Sequence, residues 1–200
     1  DLVRSRGLGD VYKRQPVYHT MGNHDNERKV IENISDWDFY GESVYKDVVG
    51  PNYYSFNIGA WHVMILDNII TGGPVKKDGK LNYQFTYRID EQQMEWIKKD
   101  LSFMPKNTPI MVGMHVPPLK YTGMKDGVLE TDYDFENAKE FLGCFAEFNQ
   151  VQIFAGHTHR SSNYVYSDNI TLHSLPSASA VSWKINGAVS YTHLTLPTIA

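Results

Sequence analysis

Three short polar clusters in this 200-residue chain carry the residue types that hold metal ions: Gly22-Asn23-His24-Asp25, Gly113-Met114-His115-Val116-Pro117 and Gly156-His157-Thr158-His159. Imidazole nitrogens and side-chain oxygens without a thiolate suit Zn, Mn, Fe or Ni better than a soft-metal site. In the last cluster, the i,i+2 spacing sets both imidazoles on one side of an extended segment. They could then address two ions about 3.5–4 Å apart, the separation usual in two-metal phosphatases. Gly22 and Gly156 would let the backbone turn sharply and come close to the ions. Each cluster also has a plainer explanation. Asn23 to Asp25 could form an Asx-turn that caps a following helix, and a lone His115 is more often a hydrogen-bonded interior histidine than a ligand. His157 with His159 is the strongest pair.

Each cluster directly follows a short apolar stretch: residues 17–20, 110–114 and 151–155. Such runs read as strands. In open α/β sheets, ligands gather at the carboxyl ends of strands, so the three clusters are expected to converge on one sheet edge. Residues 27–34 read as a helix. Residues 53–58 and 61–66, separated by Gly59-Ala60, read as a β-hairpin, and residues 69–83, rich in Gly, Lys and Asp, as an exposed loop. Asp90 followed by Gln93 resembles an N-cap with its box partner, opening a helix with Met94, Ile97 and Leu101 on one face. Pro105 and Pro109 end it. Pro117-Pro118 cannot continue a central strand. Ala138, Phe141, Leu142, Phe145 and Phe148 form the apolar face of a further helix, and residues 163–183 alternate short β-like segments with turns. Strands alternating with helices, then a β-rich tail, give a layered α/β fold.

The three clusters, in this order and each after a strand, resemble the last three motifs of the calcineurin-like metallophosphoesterases. The resemblance implies a layered α/β/β/α sandwich and the hydrolysis of phosphate monoesters or diesters. It implies a dinuclear centre of two divalent ions, Mn, Zn, Fe or Ni. By the family pattern, Asn23, His115 and His157 are ligands of one ion and His159 of the other. His24 stands beside the phosphate to protonate the leaving oxygen or neutralise charge, with Asp25 orienting its ring. The implied nucleophile is a metal-bound hydroxide, so no Ser or Cys nucleophile is needed. Arg160 could reach the substrate phosphate as a bidentate donor, or make only solvent contacts, and Tyr121 could line the pocket mouth. The family's Asp-x-His and Gly-Asp-x-x-Asp motifs, expected well upstream of Gly22, do not occur, and Gly9-Asp10 meets Lys13 where the second acid would fall. The implied fold therefore lacks its first β-α-β portion and the metal site is incomplete. A non-catalytic scaffold or binding domain that kept the fold is the alternative.

Composition bounds the rest. With 42% hydrophobic and 21% charged residues, the chain suits one globular domain. We take it as a partial phosphoesterase domain over residues 16–187, flanked by adapter-like, non-native ends at 1–15 and 188–200 that show no apolar period. A formal charge of −4 gives no signature for nucleic acid, and no apolar run is long enough to span a membrane. The single Cys144 excludes an internal disulfide and a Cys-based zinc cluster. Among Phe141, Leu142 and Phe145 it reads as a small buried hydrophobe. His19, His62 and His173 fall in strand-like stretches and read as structural, and His193 lies in the suspected C-terminal end.

Overall fold

The computed structural model describes residues 16–26, 37–126 and 128–176. In chain order these form α1 (Trp37–Val48), β1 (Tyr54–Ile58), β2 (Trp61–Ile65), β3 (Ile69–Lys77), β4 (Lys80–Tyr87), α2 (Glu91–Ser102), β5 (Ile110–Met114), β6 (Leu119–Lys125), β7 (Val128–Tyr133), α3 (Ala138–Gly143), β8 (Val151–Ala155), β9 (Ser162–Ser167) and β10 (Ile170–Ser174). A central sheet runs β1-β2-β5-β8-β10-β9, and β3-β4 and β6-β7 are separate two-stranded hairpins. Strands β2, β5, β8 and β10 are parallel, with β1 and β9 added antiparallel at the edges. This mixed α/β architecture with a parallel-rich sheet agrees with the layered fold expected from the alternation of elements.

The register explains why the clusters meet. Ile110, Val151 and Ile170 pair across the sheet, as do Val112, Ile153 and Leu172, and Met114, Ala155 and Ser174. Each row is buried on the same face, because alternation along a strand sends every second side chain to one side. That face packs against Met94, Ile97 and Leu101 of α2 and against Phe141, Leu142, Phe145 and Phe148. Truncating one of these phenylalanines to alanine should cost about 3–5 kcal/mol. Since β5 and β8 end level with one another, His115 and Gly156 emerge side by side, and the Gly156 N–H donates to the His115 carbonyl at 3.0 Å.

Asp90 caps α2 as expected: its carboxylate accepts the Gln93 N–H at 2.7 Å. Gln93 does not close a capping box. Its fully buried amide instead brackets Asp67, accepting the Asp67 N–H at 3.0 Å and donating to the Asp67 carbonyl at 2.7 Å. The helix expected to carry the phenylalanines stops at Gly143, a poor helix former. Phe145 and Phe148 reach the core through i→i+3 turns, with Phe145 N–H bonded to Leu142 and Phe148 N–H to Phe145. Cys144 is free and half-buried, and burial pushes its thiol up.

Two expectations about strands need correction. Residues 69–83 are not a loop: they form most of the β3-β4 hairpin, turned by Asp78 and Gly79 at φ 54° and 73°. Two left-handed residues between antiparallel strands match the twist of the ladder. Residues 17–20 make no strand. The Tyr54 hydroxyl takes the backbone of His19, accepting its N–H at 3.0 Å and donating to its carbonyl at 3.2 Å, while Tyr18 stacks on Phe56 at 4.0 Å. Helix α1 was not expected, whereas the helix expected over 27–34 and the two ends at 1–15 and 188–200 lie outside the described residues. No helix among the described residues is long and apolar enough to cross a membrane.

Candidate metal centre

Asn23, His115 and His157 meet beyond the carboxyl ends of β5 and β8. His115 Nε2 faces Asn23 Oδ1 at 2.9 Å and His157 Nδ1 at 3.2 Å, and the two imidazoles lie edge to face at 5.1 Å. Nitrogen and oxygen ligands about 2.0–2.2 Å from a single ion sit roughly 3 Å from one another. The observed spacing is of that size, so the donor set fits one divalent ion. Among the described residues, no three His, Cys, Asp or Glu side chains group closely enough to hold an ion by themselves. The set depends on the Asn23 oxygen.

Electrostatics point the same way. The His115 pKa is pushed down to about 4, first by burial and then by the charges of His157 and His159. That of His157 is also lowered, by burial first, with Asp134 opposing and His159 adding to the shift. Both rings are therefore neutral near pH 7, the form in which an imidazole offers a lone pair to a metal. His159 is close enough to act on both.

The segment carrying His157 and His159 is not extended. Both residues are left-handed, at φ 61° and 56°, and the Thr158 N–H closes a three-residue turn onto the Gly156 carbonyl at 2.6 Å. Left-handed backbone at a non-glycine residue is of order 1–3 kcal/mol unfavourable and concentrates at functional sites, with histidine tolerating it better than most. The turn thus comes from the histidines rather than from Gly156, at which a Cβ would find ordinary contacts of 3.9 Å. Gly22 does need its missing side chain: a Cβ there would stand 3.1 Å from two atoms of the His115 ring and 3.2 Å from Asp25 Oδ2.

The Gly22 turn is held from several sides. Asp25 Oδ2 accepts the Gly22 N–H at 2.8 Å, and the Asp25 N–H donates back to the Gly22 carbonyl at 2.9 Å. The buried Asn26 amide donates to that carbonyl at 3.3 Å and accepts the Thr71 hydroxyl at 2.6 Å. Helix α1 sits over this junction through Gly41, where a Cβ would collide with Thr71 and Asn26. The His115 turn has its own anchor, which the sequence reading missed. Asn68 is fully buried, and its amide donates to the Val116 carbonyl at 2.7 Å and accepts the Val116 N–H at 3.1 Å. Neighbouring Asp67 joins a buried polar network in which the Asn52 amide donates to Asp67 at 2.9 Å and to Glu42 at 2.8 Å.

His24 is exposed and makes no hydrogen bond to a described residue. The Asp25 carboxylate is aimed at Gly22, not at the His24 ring. Arg160 is exposed and lines a cavity of about 480 Å³ together with Tyr121 and Thr158. Tyr87 stands edge-on to His157 at 4.9 Å. His62 and His173 sit apart from this cluster. His62 bridges Asn57 and Asp100 at 2.8 and 2.9 Å, and His173 bridges Asn163 and Gln152 at 2.8 and 2.7 Å.

Known proteins resemble this chain in fold and in sequence. The crystal structure of a dimetal phosphatase from Danio rerio superposes with a TM-score of 0.50 at 14% identity, over 80% of this chain and 60% of that one, a likeness of fold alone. A curated relative from Arcobacter nitrofigilis, a probable glycerophosphodiester phosphodiesterase (GpdQ), is 27% identical over 158 residues, 78% of this chain and 50% of the relative. The chain thus spans about half the length of that relative. The family model of the calcineurin-like phosphoesterases matches residues 3–161, taking in all three clusters and most of the segment set aside above as adapter-like. A match that runs from before Asn23 to beyond His159, on a sheet whose parallel strands end together beneath those residues, makes the chain a member of the calcineurin-like phosphoesterase family.

Proposed function

We propose that the chain is part of a metal-dependent hydrolase of phosphate esters, with Asn23, His115 and His157 holding one divalent ion and His159 facing a second. The observation that carries this reading is the approach of Asn23 Oδ1 and His157 Nδ1 to His115 Nε2, at 2.9 and 3.2 Å. When bound, such ions polarise the phosphate and acidify a water molecule. The chain's own residues do the rest. Burial keeps His115 and His157 neutral, so their lone pairs need no deprotonation at neutral pH. His24, exposed on the Gly22 turn, is free to swing towards the leaving oxygen and deliver a proton to it. Asp25 acts on that step by fixing the turn from which His24 projects. Arg160 offers a guanidinium to the phosphate oxygens from the cavity wall.

The second ion has only His159 among the described residues, and one protein ligand does not define a catalytic geometry. This stretch of chain therefore carries an incomplete dinuclear site. The test is hydrolysis of p-nitrophenyl phosphate and its bis-ester with Mn or Zn. The 200-residue chain would be compared with a version extended upstream by Asp-x-His and Gly-Asp-x-x-Asp segments. The extended protein should turn over well and the chain alone poorly. Full activity in the chain alone would contradict the incomplete site, and an extended protein that binds metal yet hydrolyses nothing would favour a scaffold that kept the fold.

A further inference from the structure

Buried hydroxyls without a hydrogen-bond partner are rare in folded proteins, because an unmade bond leaves the group's desolvation uncompensated. Tyr45 on α1 carries one: the residue is 3% exposed, and its hydroxyl meets no partner among the described residues. Phenylalanine would fill the same space without that penalty. The hydroxyl therefore needs a reason.

Its position supplies one. Tyr45 lies one helical turn after Gly41, on the same face of α1. That face rests on the Gly22 turn, since a Cβ at Gly41 would stand 2.8 Å from Asn26 Oδ1. Burial first, and then the charges of Tyr54, Asp25 and Asp67, push the Tyr45 pKa up, so the group stays a protonated donor near neutral pH. Each of those three holds part of the frame around the histidines: Tyr54 the backbone of His19, Asp25 the Gly22 N–H, and Asp67 the Ile69 N–H beside Asn68.

Among the three, Asp25 has an acceptor to spare. The Tyr54 hydroxyl already donates and accepts, and Asp67 uses Oδ1 on Ile69 and Oδ2 on Asn52. Asp25 takes the Gly22 N–H on Oδ2 at 2.8 Å, and its Oδ1 makes no hydrogen bond to a described residue. An idle donor and an idle acceptor thus flank the turn that carries Asn23 and His24.

We propose that Tyr45 is a positioning residue for the metal centre: its hydroxyl donates to Asp25 Oδ1 when the Gly22 turn takes up an ion. The carboxylate then ties the turn to α1 through one oxygen while the other keeps its hold on Gly22. The inference rests on the metal site proposed above.

Zinc titration and urea unfolding of the 200-residue chain test it, on the native sequence, Tyr45→Phe, Asp25→Asn and the double variant. Tyr45→Phe should lower zinc affinity roughly tenfold, the lower end for a group acting from behind a metal ligand, while the metal-free unfolding midpoint stays level or rises. A hydroxyl that served only the fold would move both in one direction. In Asp25→Asn an amide nitrogen replaces the spare acceptor, so removing the Tyr45 hydroxyl there should cost no further affinity. Unchanged zinc affinity in Tyr45→Phe, a fall matched by a lower midpoint, or a fully additive loss in the double variant would each overturn the positioning role and leave the metal site standing. A native chain that binds no zinc would remove the metal site and this inference with it.

Discussion

Replacing Asn68 by leucine keeps the side chain's volume while removing both ends of its clamp on Val116. In the native chain, the amide donates to the Val116 carbonyl at 2.7 Å and accepts its N–H at 3.1 Å, and both residues are fully buried. The variant leaves two buried backbone groups without partners, at about 1–3 kcal/mol each, so the expected loss is about 2–6 kcal/mol. In a chain of this size each kcal/mol lowers the Tm by about 2–4 °C. The consequence reaches the site because Val116 directly follows His115. A turn that shifts to satisfy Val116 carries Nε2 away from Asn23, so zinc affinity should fall about tenfold even well below the melting temperature. Urea unfolding gives the first quantity and zinc titration of the folded variant the second. A loss below about 1 kcal/mol with unchanged zinc affinity would show that water satisfies Val116 and that Asn68 does not position His115.

Gly22→Ala should weaken zinc binding while costing little stability, because the new methyl group presses on the His115 ring at 3.1 Å; titration and thermal melting read the two effects. In the upstream-extended protein, His24→Ala should leave metal content intact and slow hydrolysis by about 10²–10⁴-fold, whereas His157→Ala should lower metal content first; the reverse pattern would contradict the assigned roles. The metal-free chain should gain stability as pH rises from about 4, the depressed value of folded His115, towards about 6.5, its value when unfolded, and this contribution should level off above that. The sign follows because the unfolded chain binds that proton more tightly across the window, and His115→Gln should remove this part of the slope in urea midpoints. The Tyr45 hydroxyl is buried without a hydrogen-bond partner among the described residues, so Tyr45→Phe should leave the unfolding midpoint unchanged or raise it.

The parts of the fold legible in the sequence were those where burial and position dictate residue type. The alternation of Ile110, Val112 and Met114, and of Val151, Ile153 and Ala155, marks strands whose common ending brings His115 and His157 together. Asp90 was legible because an N-cap needs an acceptor at one position. The β3-β4 hairpin was missed because the Gly, Lys and Asp gathered around its turn read as a loop, although Leu81, Tyr83, Phe85 and Tyr87 alternate along β4 and Asp78-Gly79 is a turn signal in its own right. The strand expected at residues 17–20 has the right composition, yet a side-chain hydroxyl from Tyr54 takes its backbone bonds. The left-handed backbone at His157 and His159 leaves no trace in residue type, since histidine adopts it only where its surroundings impose it. The partners of Asn68 and Gln93 were invisible for a related reason. Each bonds a backbone far away in sequence, at Val116 and Asp67, and nothing local marks such a partner.

Whether Asn23, His115 and His157 share one ion is read from the anomalous difference map of a crystal of the zinc-loaded chain. A peak is expected within bonding distance, about 2.0–2.2 Å, of Asn23 Oδ1, His115 Nε2 and His157 Nδ1 together. A crystal that holds zinc only elsewhere, or a peak that touches the two histidines and leaves Asn23 turned away, would contradict it.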